Sequence, residues 1–223
     1  MTERPTIAVI GGTGDLGGGL AWRWARAGYS IVIGSRSAEK GVAAAEELAR
    51  TFPEASIAGA GNAEAAKAGD VVVVTVPFAH QTPTLESIAG ECRGKVVVDT
   101  TVPLVPPKVA RVQLPREGCA ALIAQQVLGE EARLVSALHN VGAEHLREDH
   151  PVDCDVLVFG DDIEARAQVA RMVEDAGMVA WEAGPLANSA AAEALTSVLI
   201  GLNKRYGITG SGLRITGTPT RGR

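Results

Sequence analysis

An apolar run, Thr6-Ile7-Ala8-Val9-Ile10, leads without a break into Gly11-Gly12-Thr13-Gly14-Asp15-Leu16-Gly17. A strand that feeds G-x-G-x-x-G (Gly12, Gly14, Gly17) and then helical periodicity is the opening of a βαβ unit that holds a dinucleotide. The three glycines have separate reasons. Gly12 permits the tight turn, Gly14 lets the backbone approach a pyrophosphate, and Gly17 lets the new helix pack closely on the strand. The helix N-terminus then turns unpaired N–H groups toward the phosphates. Thr13, Asp15 and Leu16, which fill the loop and the first helical turn, join the glycines as candidate cofactor contacts.

The end of the second strand narrows the choice of dinucleotide. Tyr29-Ser30-Ile31-Val32-Ile33 reads as that strand, ending at Gly34-Ser35-Arg36-Ser37. An NAD site places an acid about 20 residues past the glycines, where it accepts from the ribose 2′-OH. No acid stands there. Ser35 and Arg36 instead offer a hydroxyl and a guanidinium fork, suited to a 2′-phosphate. Lys40, one turn into the next helix, adds positive charge, and Thr13 is near enough on the glycine loop to contribute. The expectation is NADP; the competing reading is a solvated arginine after a strand.

Beyond these motifs, apolar runs at 56–58, 70–75, 95–99, 133–138, 155–160 and 178–181 alternate with helical patterns at 38–50, 63–68, 84–89, 118–128, 163–176 and 188–202. That alternation predicts an α/β fold of Rossmann type, a doubly wound, mostly parallel sheet with a small C-terminal α/β portion. The division falls at 1–140 for the NADP-binding domain and 141–223 for the smaller portion. The chain is 46% hydrophobic but only 4% aromatic, so small aliphatic side chains must fill helices packed on a parallel sheet. A net charge of −5 argues against a nucleic-acid or membrane-surface partner. Thr2-Glu3-Arg4-Pro5 precedes the first strand without an apolar signal core, and no apolar run has the length of a membrane span. The three scattered cysteines, Cys92, Cys119 and Cys154, lack C-x-x-C spacing and read as reduced thiols, not a metal site. A cytoplasmic protein is expected.

Two strand ends are placed for chemistry: Thr75-Val76-Pro77-Phe78 and Leu138-His139-Asn140-Val141. Both project at the C-terminal edge of the sheet, on the nicotinamide side. Val76 and Pro77 are candidate cofactor contacts there. His139 is either a donor to a nicotinamide amide or substrate carbonyl, or a structural histidine that closes a loop. His80 reads as a helix cap, His145 and His150 as solvated, and Asp161-Asp162 as helix N-capping. No Ser/His/Asp arrangement, metal-spaced cluster or Tyr-x-x-x-Lys pair is present in the sequence pattern. An alcohol or hydroxy-acid dehydrogenase needs a proton donor matched to the substrate oxygen. Hydride exchange between two cofactors needs ring alignment and little else. A good NADP site with no catalytic acid or base fits the second case.

Taken together, these segments resemble the NADPH-dependent reductases of the deazaflavin coenzyme F420. The resemblance runs over about residues 6–216 and is carried by the glycine loop, Gly34-Ser35-Arg36, Val76-Pro77-Phe78 and Val135-Ser136-Ala137-Leu138-His139. Asp155-Val156-Leu157-Val158-Phe159-Gly160-Asp161-Asp162 and Ala183-Gly184-Pro185-Leu186-Ala187-Asn188-Ser189 add to it. The resemblance implies hydride transfer between NADP(H) and F420, with NADP and coenzyme F420 as the cofactors and a homodimer as the working form. It implies that Thr13, Ser35, Arg36 and Lys40 hold the 2′-phosphate and that Val76, His139 and Val141 flank nicotinamide. The backbone near Gly142 and Ala143 would meet the deazaflavin, and Lys108 and Arg111 are candidates for its tail. One departure stands out: Gly142 occupies a position where the family can carry proline. The rival expectations are an NADPH-dependent reductase of another small acceptor (an imine or a ferric chelate) and a non-enzymatic NADP(H) sensor.

Overall fold

The computed structural model describes residues 4–220. Six parallel strands come first in the chain: β1 (Ile7–Ile10), β2 (Ile31–Ser35), β3 (Ile57–Gly61), β4 (Val71–Val74), β5 (Val96–Asp99) and β6 (Arg133–Ser136). β7 (Asp155–Gly160) then pairs antiparallel with β6, and β8 (Val179–Glu182) lies parallel to β7. The sheet order is β3-β2-β1-β4-β5-β6-β7-β8. From β1 the chain winds outward in one direction and from β4 in the other, so the switch point lies between the C-terminal ends of β1 and β4. The glycine loop leaves β1 at that point. The fold is thus the expected Rossmann type.

Both faces of the parallel strands are apolar, as burial on both sides demands. Ile7, Val9, Ile31, Ile33, Val71 and Val73 point into one core with α1 (Asp15–Arg26), α2 (Ala38–Thr51) and α6 (Ile163–Asp175). Ala8, Ile10, Val32, Val72 and Val74 point into the other, with α3 (Asn62–Ala68), α4 (Phe78–Ile88) and α5 (Ala120–Leu128). Residues past 140 enter the first core directly, since Val156, Val158, Met172 and Val173 pack with Val9 and Leu20. Trp24 Nε1 donates to Met172 O at 2.9 Å and fastens α1 to α6. The last helix, α7 (Ser189–Tyr206), ends on Gly207 in the left-handed region, at φ 65°.

Several element boundaries differ from the sequence expectation. α4 begins at Phe78, six residues before the expected Thr84, with Pro83 inside it. Pro83 is tolerated there because it removes only the bond to the carbonyl of exposed Ala79 in the first turn. β6 stops at Ser136 because Leu138, a buried non-glycine residue, takes φ +68° and turns the chain. α7 runs on past the expected residue 202 to Tyr206. Among the described residues, no helix is long and apolar enough to cross a membrane.

Candidate functional site

The glycine loop is held by its own backbone. Gly12 N donates to Val9 O and Gly34 O, at 3.2 and 3.1 Å, and Gly14 N to Gly11 O at 3.0 Å. Gly11 sits at φ +79°, where a side chain would be strained. α1 starts behind Gly14 with no side-chain cap, which leaves its first N–H groups for an anion. At Gly17 a Cβ would lie 2.4 Å from Thr75 Oγ1 and 2.8 Å from Gly12 Cα. Thr75 Oγ1 in turn donates to Ile10 O at 2.9 Å, tying the end of β4 to the end of β1.

A cleft of about 550 Å³ opens over this loop. It gathers Thr13 and Gly14 from the loop, Ser35, Arg36 and Lys40 from the end of β2 and the start of α2, and Val76 and Pro77 after β4. Ser35 is buried, whereas Arg36 and Lys40 are exposed at the rim. Among the described residues, neither cation is paired with a carboxylate. Gly12 lies behind the loop, buried beneath Ile33, and with Thr13 borders a smaller crevice of about 120 Å³ between α1 and α2. Asp15 and Leu16 line neither space: Asp15 is exposed in the first turn of α1, and Leu16 packs on the core.

The larger cleft also takes in residues that the sequence motifs do not place there, Asn62 and His80 among them. Asn62, the first residue of α3, lines it with a buried Oδ1 that has no hydrogen-bond partner among the described residues. Such an orphan costs about 1–3 kcal/mol unless a ligand donor or water meets it. The only sequence signal was an asparagine directly after a strand. His80 also lines the cleft and does not cap α4, whose N-cap position is Pro77 and carries no side-chain bond.

His139, Val141 and Ala143 do not join that cleft. They line a second one, of about 190 Å³, with Gly142, with Thr196 and Asn203 of α7, and with Gly210 and Ser211 beyond it. α7 clamps this segment. Thr196 Oγ1 donates to His139 O at 3.0 Å, and Asn140 Nδ2 donates to Ala192 O at 2.9 Å. The unusual Gly142 has a steric reason: a Cβ there would lie 2.8 Å from Gly210 Cα, so two backbones touch where a proline would collide. His150 is exposed, but His145 is half-buried, with Nε2 3.1 Å from Thr209 O. Lys108 and Arg111 are exposed on the proline-rich loop and line neither cleft. Asp162 caps α6 as expected, accepting from Ala165 N at 3.0 Å.

Beneath the second cleft runs a buried polar chain of His, Ser and Glu side chains that the sequence pattern does not reveal. His139 Nε2 lies 2.8 Å from Ser136 Oγ, which lies 2.7 Å from Ser189 Oγ. Ser189 Oγ donates to Glu193 Oε1 at 2.9 Å. Glu193 also accepts from the backbone N–H groups of Ala120, at 2.6 Å, and Ala121, at 3.1 Å, and so caps α5 from another helix. Both serines are fully buried, so no substrate reaches them as a nucleophile. Asp99 accepts from Thr101 Oγ1 at 2.7 Å and from Gln81 Nε2 at 2.6 Å. Burial holds His139 down to about 3, which keeps it neutral. Burial pushes Glu193 up to about 7 and Asp99 up to about 6.

The raised carboxyl has a measurable consequence. Between its ordinary value of 4.5 and its folded value of about 7, Glu193 keeps its proton in the folded state and loses it in the unfolded one. Stability from this group therefore falls as pH rises through that window, by roughly 3 kcal/mol in all. His139, held neutral, contributes a slope of opposite sign below 6.5. Comparison with Glu193→Gln isolates the first effect. The difference in unfolding free energy between the two proteins, measured by denaturant titration, is expected to grow with pH in the variant's favour. An unchanging difference would contradict the assignment.

The family model for NADP oxidoreductase, coenzyme F420-dependent, matches residues 6–103. The F420-dependent NADP reductase of Methanocaldococcus jannaschii is 42% identical over 219 residues, covering 94% of this chain and 97% of that protein. The chain belongs to the F420-dependent NADP reductase family. A second member, from Methanothermobacter thermautotrophicus, is 42% identical over 223 residues, covering 96% of this chain and 95% of that protein. The crystal structure of a candidate F420-dependent NADP-reductase from Arthrobacter sp. FB24 superposes with a TM-score of 0.80 at 25% identity, over 96% of this chain and 100% of that one. In a member of this family, a glycine loop, a basic strand end and a clamped histidine segment stand on one sheet edge.

Proposed function

We propose that this protein transfers a hydride between NADP(H) and coenzyme F420, with NADP(H) in the larger cleft and the deazaflavin at the smaller one. The observation that carries the reading is near-full-length identity of about two in five residues to F420-dependent NADP reductases. The local chemistry agrees with it. Uncapped α1 and Gly14 suit a pyrophosphate. Ser35, Arg36 and Lys40 suit a 2′-phosphate at a strand end with no acid to favour NAD. The orphaned Asn62 Oδ1 is matched by a donor on a bound nucleotide. The smaller cleft borders the backbone of Val141, Gly142 and Ala143.

When bound, the two ring systems supply the hydride donor and acceptor, and the protein supplies no acid or base to that step. Its residues bind, align and shield. Thr13, Ser35, Arg36 and Lys40 anchor the phosphate end, while Val76 and Pro77 wall the nicotinamide end with apolar surface that excludes water. His139 and Val141, fixed by α7, set the ring-to-ring approach on which the rate depends.

Mixing the protein with NADPH and oxidised F420 and following the deazaflavin's visible absorbance tests the reaction. Rapid bleaching that prefers NADPH over NADH is the expected result. Intact NADPH binding without bleaching would sink the reading and return weight to another acceptor or to a sensor. Arg36→Ala is expected to weaken NADPH binding by about 1–3 kcal/mol and to leave NADH unaffected, because the guanidinium pairs only with the extra phosphate. Calorimetry with both nucleotides checks it; equal losses would remove Arg36 from that role.

The homodimer belongs to the same reading. Val198, Leu202 and Tyr206 form an exposed apolar stripe at i, i+4 and i+8 of α7, and exposed Val105, Val112 and Leu114 lie on the proline-rich loop whose Ala110 faces Gly201. A second copy covering this face would press α7, and with it the His139 segment, into place. Sedimentation equilibrium is expected to give twice the chain mass, with Leu202→Glu giving the monomer. A wild-type monomer would refute it. Three buried free cysteines agree with a reducing, cytoplasmic setting.

A further inference from the structure

The relay from Glu193 to His139 has a direction fixed by which groups can only donate. The N–H groups of Ala120 and Ala121 face Oε2 and Oε1 of Glu193, so both oxygens are acceptors when the group is a carboxylate. Ser189 must then spend its single hydrogen on Glu193 Oε1, 2.9 Å away. Its oxygen is left to accept from Ser136 Oγ–H at 2.7 Å. Ser136, with its own hydrogen spent, has only an acceptor to offer His139 Nε2 at 2.8 Å. The chain closes in one way.

We infer that Glu193 is a positioning residue that holds His139 in its Nε2–H tautomer through Ser189 and Ser136. Nδ1 is thereby a bare acceptor. The expectation of His139 as a donor to a nicotinamide amide or substrate carbonyl is replaced by one of an acceptor for an amide N–H, which both nicotinamide and the deazaflavin carry. This last consequence, and only this, rests on the proposed placement of the cofactors at the smaller cleft. All members of the relay are buried, so no water competes for the hydrogens.

The tautomer is readable without any cofactor. In protein labelled with ¹⁵N-histidine, long-range ¹H–¹⁵N spectra distinguish Nε2–H from Nδ1–H, and loss of one of the four histidine patterns in His139→Asn assigns the signal. Above the Glu193 value of about 7, wild type is expected to show Nε2–H alone. In Glu193→Gln the close Ala120 N–H, at 2.6 Å, demands the amide oxygen at Oε2. The amide nitrogen then falls at Oε1, giving up the longer Ala121 N–H contact of 3.1 Å, donates to Ser189, and every hydrogen in the relay turns round. His139 is expected to become Nδ1–H. Ser189→Ala leaves the cap on α5 in place and cuts only the relay, so there the two tautomers are expected to mix.

A purely structural Glu193 would change the melting temperature and leave the His139 spectrum as it was; wholly Nε2–H signal in both variants would overturn the inference. Turnover separates it from the functional reading. If His139 faces a cofactor amide, the swap is expected to lower kcat/KM about tenfold, the scale of one hydrogen bond. A change in KM for NADPH alone marks the nicotinamide amide as partner, and a change in KM for F420 alone marks the deazaflavin. A swapped tautomer with unchanged kinetics supports the relay and counts against the placement of the cofactors beside His139.

Discussion

Gly17→Ala is expected to lower the unfolding free energy by about 3 kcal/mol and NADPH affinity by more than about tenfold. Its Cβ would fall 2.4 Å from Thr75 Oγ1, 2.8 Å from Gly12 Cα and 2.9 Å from Gly11 O. Two of these atoms are backbone of the loop itself. The third donates to Ile10 O and gives up that bond if it swings aside. α1 must therefore back away from the loop, taking its N-terminal N–H groups with it. Gly14→Ala is the control. There a Cβ meets only Gly11 O, at 3.5 Å, and φ is −83°, so the fold accepts it while the methyl group occupies the phosphate's path. Denaturant titration and calorimetry on both variants are expected to show stability lost only at 17 and affinity lost at both. A Gly17→Ala protein as stable as wild type would contradict this seating of α1.

Arg23→Met is expected to destabilise the protein by about 4 kcal/mol and to free the segment that carries Ala143. Arg23 is 2% exposed, and its guanidinium donates to Leu146 O at 2.7 Å, His145 O at 2.8 Å and His150 O at 2.7 Å. Methionine keeps much of the apolar stem but leaves these carbonyls without their donor. The 143–151 segment has only a short 3₁₀ turn at Ala143–His145, and Arg23 fastens it to α1 together with buried Leu146 on Gly19 and the Arg26–Asp149 ion pair. Hydrogen exchange is expected to accelerate there, with F420 turnover falling more than NADPH affinity, because Arg36 and the glycine loop are untouched. Unchanged exchange at 143–151 would show that buried Leu146 on Gly19 and the Arg26–Asp149 pair suffice to hold it.

Much of the larger cleft was legible in the chain. The glycine loop, the basic end of β2 and the Val76-Pro77 strand end are each set by neighbours a few residues away, and the alternating pattern fixed which strand ends they occupy. Asn62 was missed because an asparagine after a strand has many uses, and only the cleft shows its Oδ1 unpaired. His80 was misread for a related reason: the start of α4 moved when Pro83 was carried inside the helix. The close approach of Gly142 and Gly210 spans the whole of β7, α6, β8 and α7, and no local pattern predicts it.

The sequence by itself determined the Rossmann fold, the glycine loop at the end of β1 and NADP as the nucleotide, since these follow from short-range periodicity and from the chemistry of single turns. Only the tertiary structure decided the rest. Arg23 reaches carbonyls 122, 123 and 127 residues away, and Glu193 caps a helix 73 residues before it. Those partners meet because packing two apolar faces of one sheet leaves each buried polar group no water, and it must take whatever donor or acceptor the fold sets beside it.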